Sequence, residues 1–386
     1  MKNSRTLAKP KAEQTKRRAF PREARLKESD PLLRDRFLHT LRGASTMPER
    51  GGDAAIARLG VHRIPIPLPF PQAGGPVNVI AVEEEGGGIA LFDTGIGGVD
   101  AEAVLRSGLA AIGSDLGEVR RIFVTHGHVD HYGQASRVRE VSGAPVYVHA
   151  RDRRKLLSPV HWIADRELYE EFLRRCGVPA ASVREILEVA AYQEHLGGRL
   201  EEPLGELAEG QQLSFARCDA TLLEMPGHTP GLVCALLSTR GGAGGPLAVL
   251  LANDHILEHV SPNPLLEILR DGSRFRALPT YLESAARARA LELDWVVPGH
   301  GACFVDHRRV IDGLEGFYAR RQEKILSLIP AGGATPVELV LSLFPRATGL
   351  DTYLVIGEIL GNLDLLEADS RVGAIERHGE LRYFRR

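Results

Sequence analysis

At 386 residues the chain has room for two or three domains and a sizeable buried core. A hydrophobic share of 44% with a charged share of 25% excludes global disorder, and no apolar run approaches the roughly 18 residues that a membrane span needs. The formal net charge of −2 conceals an asymmetry: residues 1–50 carry 14 Lys/Arg against 6 Asp/Glu, and the remainder 34 against 44.

The leader, 1–50, has no apolar stretch of the kind a secretory signal requires. Its composition predicts a disordered tail or an over-extended start, with a polybasic arm for RNA or an anionic surface as the alternative. Cys176, Cys218, Cys234 and Cys303 share no CxxC spacing, which excludes a zinc ribbon or thioredoxin-type motif. Their scatter predicts a cytoplasmic protein without structural disulfides.

Globular patterning begins near Val61, where VHRIPIPLPF is extended and punctuated by proline, as an edge strand is. Val77–Val82 and Gly88–Asp93, split by the turn-prone EEEGG, read as a strand pair. Helical spacing follows over Val99–Ile112, and Ile122–Val124 is a buried strand running into a histidine-rich loop. Tyr132–Val141 reads as helix and Pro145–Val148 as strand. Residues 151–202 break the rhythm. Rich in Arg, Glu, Leu and Ala, with aromatics at Trp162, Tyr169 and Phe172, they predict two or three helices inserted between core elements. Strands resume at Thr221–Met225, Val233–Ser238 and Leu247–Ala252, with GGAGG (241–245) as a loose hairpin connection. Thr280–Leu293 reads as helix, and Trp295–Val297 as a short strand ending in Pro-Gly-His-Gly.

From about Phe317 the pattern changes. Tyr318–Ile329 is helical, and Thr335-Pro336-Val337-Glu338 carries the cap and first-position proline of a helix start. Asp351–Ala368 is a longer amphipathic helix, and Arg371–Ile375 and Glu380–Phe384 are short strands around the turn RHGE. Three helices and a hairpin predict a winged-helix-like domain over 317–386. It follows the leader (1–50) and a main domain (51–316) that contains the helical insertion.

The strongest chemical signal is THGHVDH, from Thr125 to His131, which sets three histidines and an aspartate directly after a buried strand. A loop at a strand end can aim several side chains at one point, and Gly127 leaves room for a tight backbone turn. Neutral imidazole and carboxylate are the ligands that hold zinc and similar divalent ions. Further His and Asp residues stand at ends of apolar strands, three of them near Gly or Pro: His228 in PGHTPG, His300 in VVPGHG and Asp93 in LFDTG, with Asp254 in LLANDH. Singly each reads as a cap or turn residue. On strands of stacked sheets, their side chains would converge along one edge.

The HxHxDH run, followed by isolated His, Asp and His at these intervals, resembles the metallo-β-lactamase-fold hydrolases over about Val61–His307. The resemblance implies an α+β fold, a four-layer αββα sandwich, with two metal sites. His126, His128 and His228 would hold the first metal and Asp130, His131 and His300 the second. Asp254 would bridge both, and Asp93 would orient the ligand loop. The insertion would cover the cleft. The full ligand set implies an active binuclear hydrolase in which a metal-bound hydroxide attacks a carbonyl carbon or a phosphorus, with Asp130 steering the proton. Nitrogen and oxygen ligands without thiolate imply two divalent metal ions, zinc by default, with iron and manganese also admitted. Cys303 reads as a buried structural thiol, and His255 as either a supporting donor or a strand-end histidine facing away.

The substrate is less legible. An acyl ester or thioester hydrolase resembling glyoxalase II is the first reading, with a lactonase beside it. The acidic body and the aromatic-bearing insertion suit a small-molecule acyl substrate. The alternative is a phosphodiesterase or endoribonuclease resembling the β-lactamase-like protein 2 group, which pairs such a core with a C-terminal winged helix; RNA would then be the partner. A non-enzymatic winged-helix regulator is the third class, opposed by the acidic character of DTYLVIGEILGNLDLLEAD. The C-terminal domain also admits a homodimer.

Overall fold

The computed structural model describes residues 51–68, 75–157, 166–194, 196–240, 245–347 and 350–386. The basic leader and Trp162 lie outside these residues. After the short helix α1 (Gly52–Ala57), strands β1 (Val61–Ile66), β2 (Val77–Glu83), β3 (Ile89–Phe92), β4 (Val119–Val124), β5 (Val146–His149) and β6 (Gly205–Leu207) form one six-stranded sheet in chain order. β1 to β3 pair antiparallel, and β3 to β6 pair parallel. Parallel neighbours need crossover connections. Helix α2 (Val99–Ala111) supplies the first, and α3 (Val129–Tyr132) with α4 (Ala135–Ser142) supplies the second. The other sheet has five strands in the order β11 (Trp295–Pro298), β10 (Ala248–Asn253), β9 (Val233–Thr239), β8 (Cys218–Glu224) and β7 (Gln212–Ser214).

The alternation of side chains along each strand builds the layers. In β2, Val79 and Ala81 pack outward against Leu105 and Leu109 of α2, whereas Ile80 and Val82 face the second sheet. In β10, Val249 and Leu251 face inward, while Leu250 and Ala252 turn toward Tyr281 and Ala285 of α8 (Ala277–Arg289). Phe92 and Phe123 meet between the sheets with ring centroids 4.9 Å apart, and Phe215 from the opposite sheet's edge closes the cluster. The result is the four-layer αββα sandwich. β6 and β7 escaped the sequence reading because three-residue strands carry too little alternation to register.

Downstream, α9 (His307–Leu328) starts well before the predicted Tyr318. It begins at Asp306, whose side chain accepts the Arg309 N–H, and runs unbroken across position 317. α10 (Pro336–Leu343) opens with the expected cap: Thr335 and Glu338 bond each other's backbone N–H groups in a capping box. α11 (Leu350–Ala368) precedes the hairpin β12 (Val372–Arg377) and β13 (Glu380–Arg385).

The three described helices of the insertion are α5 (Arg153–Leu157), α6 (Arg166–Arg175) and α7 (Ala180–Glu194). Tyr169 and Phe172 of α6 and Val183 and Ile186 of α7 share one hydrophobic cluster with Val340 of α10, Ile356, Ile359 and Leu363 of α11 and Val372 of β12. The insertion's described aromatics thus bind helices together and do not line a cleft. No residue of 351–366 is exposed and only Asp351, Leu354, Glu358 and Leu365 are half-buried, so α11 is a largely interior helix, where the sequence reading made it amphipathic.

Candidate metal centre

Each proposed site residue stands where a strand stops. β3 ends at Phe92, and the left-handed backbone of Asp93 just beyond it (φ 62°) turns its carboxylate under the next strand end. There Asp93 Oδ1 accepts the Thr125 N–H at 2.8 Å and Oδ2 accepts the Thr125 hydroxyl at 2.8 Å. The same Oδ2 lies 2.7 Å from His131 Nδ1. The Thr125 hydroxyl has one proton, and Asp93 takes it. The hydroxyl oxygen must therefore accept from His126 Nδ1, 3.1 Å away. One buried carboxylate thus holds a proton on the Nδ1 atom of two histidines and directs the Nε2 atom of each toward the site, the atom that a cation would take.

The remaining residues arrive from the second sheet. His228 follows β8, and its Nδ1 donates to the Asn263 carbonyl at 3.0 Å, which frees Nε2. Asp254 follows β10 and His300 follows β11. His126, His128 and His228 bring ligand atoms within 4.8 Å of one another, and Asp130, His131 and His300 do the same. The Asp254 carboxylate lies between these groups. Oδ1 is 3.4 Å from His131 Nε2, and Oδ2 is 3.4 Å from both His228 Nε2 and His300 Nε2. All eight side chains named from the sequence therefore meet at one edge of the sandwich. Asp93, His126 and His131 also form a close group, but Asp93 is already committed to Thr125 and His131.

The chemistry of this donor set fits a cation. His131 Nε2 and Asp254 Oδ1 face each other across 3.4 Å, both buried and neither in a hydrogen bond of good geometry; buried polar atoms held at that spacing leave room for a cation to satisfy them. Burial, reinforced by neighbouring histidines, holds His126 and His128 well below the ordinary histidine range, so both are neutral. Burial also opposes charge on His131, yet Asp254, Asp93 and Asp130 together outweigh it and raise its pKa well above that range. Without a cation, a proton supplies the positive charge that these carboxylates draw in.

Several supporting residues escaped the sequence reading. Asn78 of β2 donates from Nδ2 to the Pro298 and Gly301 carbonyls, each at 2.8 Å, and Arg63 of β1 reaches Gly301 O at 3.2 Å, so the first sheet grips the loop that carries His300. An asparagine inside the apolar run VNVIAV was the available signal. In the same loop, a Cβ at Gly299 would lie 2.0 Å from Asp254 Oδ1, so only glycine admits that carboxylate. Gly127 likewise answers to space: its Cβ would sit 2.5 Å from Lys155 Cδ. His255 is fully buried against the Tyr281 ring, 5.3 Å between centroids, and so faces away from the donor cluster. Cys303 is half-buried, its Sγ 3.5 Å from Asp53 Oδ1 on the first sheet's side, and burial pushes its pKa up to about 12.

Residues 73–242 match the metallo-beta-lactamase superfamily. The solved structure of a metallo-beta-lactamase family protein from Thermus thermophilus, TTHA1429, is 30% identical, covers 85% of this chain and 99% of its own, and superposes with a TM-score of 0.69. This chain belongs to the metallo-beta-lactamase superfamily. A further superfamily relative, the probable metallo-hydrolase YqjP of Bacillus subtilis (strain 168), is 27% identical over 80% of this chain and 93% of its own length. A beta-lactamase domain protein from Burkholderia ambifaria shares the fold at 22% identity and a TM-score of 0.68, over 84% of this chain and 92% of its own. As a superfamily member with these His/Asp clusters, the protein is a metal-dependent hydrolase that binds divalent metal. Among the described residues no helix is long and apolar enough to cross a membrane.

Proposed function

We propose that this superfamily member is a binuclear hydrolase of small acyl esters or thioesters. His126, His128 and His228 hold one divalent ion, Asp130, His131 and His300 hold a second, and Asp254 is shared between them. The observation that carries this reading is the Asp254 carboxylate, buried and 3.4 Å from histidines of both groups, His131 and His300 on one side and His228 on the other. The donor set is nitrogen and oxygen only, which suits zinc and admits iron or manganese. Divalent ions held there make a water nucleophilic at neutral pH and draw charge from the substrate oxygen.

The chain's own residues do the rest. Neutral His126 and His128 present lone pairs without first losing a proton. Asp93 keeps His131 and, through Thr125, His126 aimed inward. Asp130 has 18% of its side chain exposed, against 8% for Asp254 and 2% for Asp93, so it is the carboxylate a substrate reaches. It takes the proton of the attacking water and returns it to the leaving group.

The acyl substrate is favoured over nucleic acid by the burial of α11. In a winged-helix-like domain that helix would face the groove, and here it has no exposed face over 351–366. We retain the division into a leader, a main domain and a C-terminal helix–hairpin region as a proposal, with α9 shared between the last two. One panel tests the reading: an acyl thioester, a lactone and a single-stranded RNA, each assayed with and without chelator. Chelator-sensitive thioester cleavage is the expected result, and cleavage of RNA alone would overturn the substrate assignment.

A further inference from the structure

We propose that Asp152 is a positioning residue that locks the two loops carrying His126, His128 and His228 against each other. The inference rests on the reading that these three histidines hold the first metal. Asp152 is fully buried at the end of the turn after β5. Its Oδ2 accepts the Gly127 N–H at 2.8 Å and the Thr229 hydroxyl at 2.6 Å. Gly127 is the residue between His126 and His128, and Thr229 directly follows His228. A single oxygen therefore ties together backbone and side-chain groups flanking all three histidines, although the two loops lie about a hundred residues apart in the chain and belong to different sheets.

The rest of the carboxylate is held from below. Oδ1 has no hydrogen-bond partner and lies 3.5 Å from Lys155 Nζ. Lys155 is itself buried, and its ammonium also pairs with Glu267. Glu267 sits on the segment between β10 and α8, where neighbouring backbone is fixed from the C-terminal cluster: the Ile268 N–H donates to the Tyr169 hydroxyl at 3.1 Å, and the Tyr353 hydroxyl donates to Leu266 O at 2.9 Å. A buried carboxylate with charged and neutral donors on several sides has one orientation available, which is what a spacer between two ligand loops requires. Asp152 reaches no ligand atom itself, so its action on the histidines runs through Gly127 and Thr229.

The test is a zinc titration of the full-length metal-free chain against a chromophoric chelator, with the melting temperature of each metal-free variant measured in parallel. Asp152→Asn cannot accept both bonds on one oxygen while satisfying Lys155, and Thr229→Val removes one bond at nearly constant shape. The wild type is expected to bind two ions. Asp152→Asn is expected to weaken one of them by roughly 10- to 100-fold and the other far less, with Thr229→Val weakening the same ion by a smaller factor. If Asp152→Asn fails to fold, Thr229→Val decides. The inference is overturned if the variants bind both ions as the wild type does, or if both ions weaken equally in step with the melting temperature, which is the mark of general structural support. A wild-type chain that takes up no zinc overturns the underlying reading together with this one.

Discussion

His131 Nδ1 and Asp93 Oδ2 lie 2.7 Å apart, both closed off from solvent, so the ring of His131 has one orientation, with an Nδ1 proton held toward Asp93. Removing the carboxylate strands three donors at once: the Thr125 N–H, the Thr125 hydroxyl and the His131 ring. Asp93→Ala is expected to cost roughly 3–5 kcal/mol of stability, as breaking a buried charged pair does, and to lower metal content. Thermal denaturation and elemental analysis of the purified variant check both.

Asp130 is the counter-case. It is the most exposed carboxylate of the cluster, and its backbone position in α3 does not depend on the side chain. Asp130→Ala is expected to abolish hydrolysis while moving the melting temperature by only a few degrees. Full turnover in this variant would remove Asp130 from the mechanism.

The raised pKa of His131 makes metal binding pH-dependent with a definite sign. In the metal-free protein His131 keeps its proton above the ordinary histidine range, and a cation must displace that proton. Apparent metal affinity is therefore expected to rise as pH rises through and beyond about 6.5, the unperturbed histidine value. The same raised pKa stabilises the metal-free fold below the unfolded-state value. That contribution fades as pH climbs through the folded-state value. Chelator competition and melting curves of the metal-free protein over that range read the two effects separately.

Asn78 holds the His300 loop through two carbonyls, and it is 2% exposed. Asn78→Ala is expected to destabilise by roughly 1–3 kcal/mol, because the Pro298 and Gly301 carbonyls lose buried donors. It is also expected to weaken one bound ion more than the other. Denaturant unfolding gives the first quantity and metal titration the second.

Deleting residues 317–386 cuts α9 and removes α11 from the cluster that contains Tyr169, Phe172, Val183 and Ile186. The truncated chain is expected to be insoluble, since those side chains lose their cover. A soluble, monomeric and active truncation, seen by size-exclusion chromatography and assay, would show that the C-terminal region is dispensable.

Legibility followed the length scale of the signal. The strands β2, β9 and β10 and the Ile122–Val124 half of β4 were readable because their runs are largely apolar on both faces, as sandwich interiors demand. The donor cluster was readable because its members stand just past the ends of apolar strands, several of them close to a Gly or Pro. Asn78, Arg63 and Asp152 were not, because their roles arise from contacts across large sequence separations with no local mark. The amphipathic reading of Asp351–Ala368 failed for a related reason. A few acidic residues in the string suggest a wet face, but Asp364 is paired with Arg274 in the interior and half-buried Glu358 with Arg321, so neither charge is left to solvent alone.

The burial of α11 bears on biosynthesis. Helices α6 and α7 leave the ribosome long before the helix that covers them, since translation must proceed from Glu194 to Leu350 first. At about 5–20 residues per second that interval is on the order of ten seconds. Throughout it, the apolar sides of Tyr169, Phe172 and Ile186 have no native partner from the C-terminus, and this stretch of the nascent polypeptide is where chaperone capture or misassembly would begin.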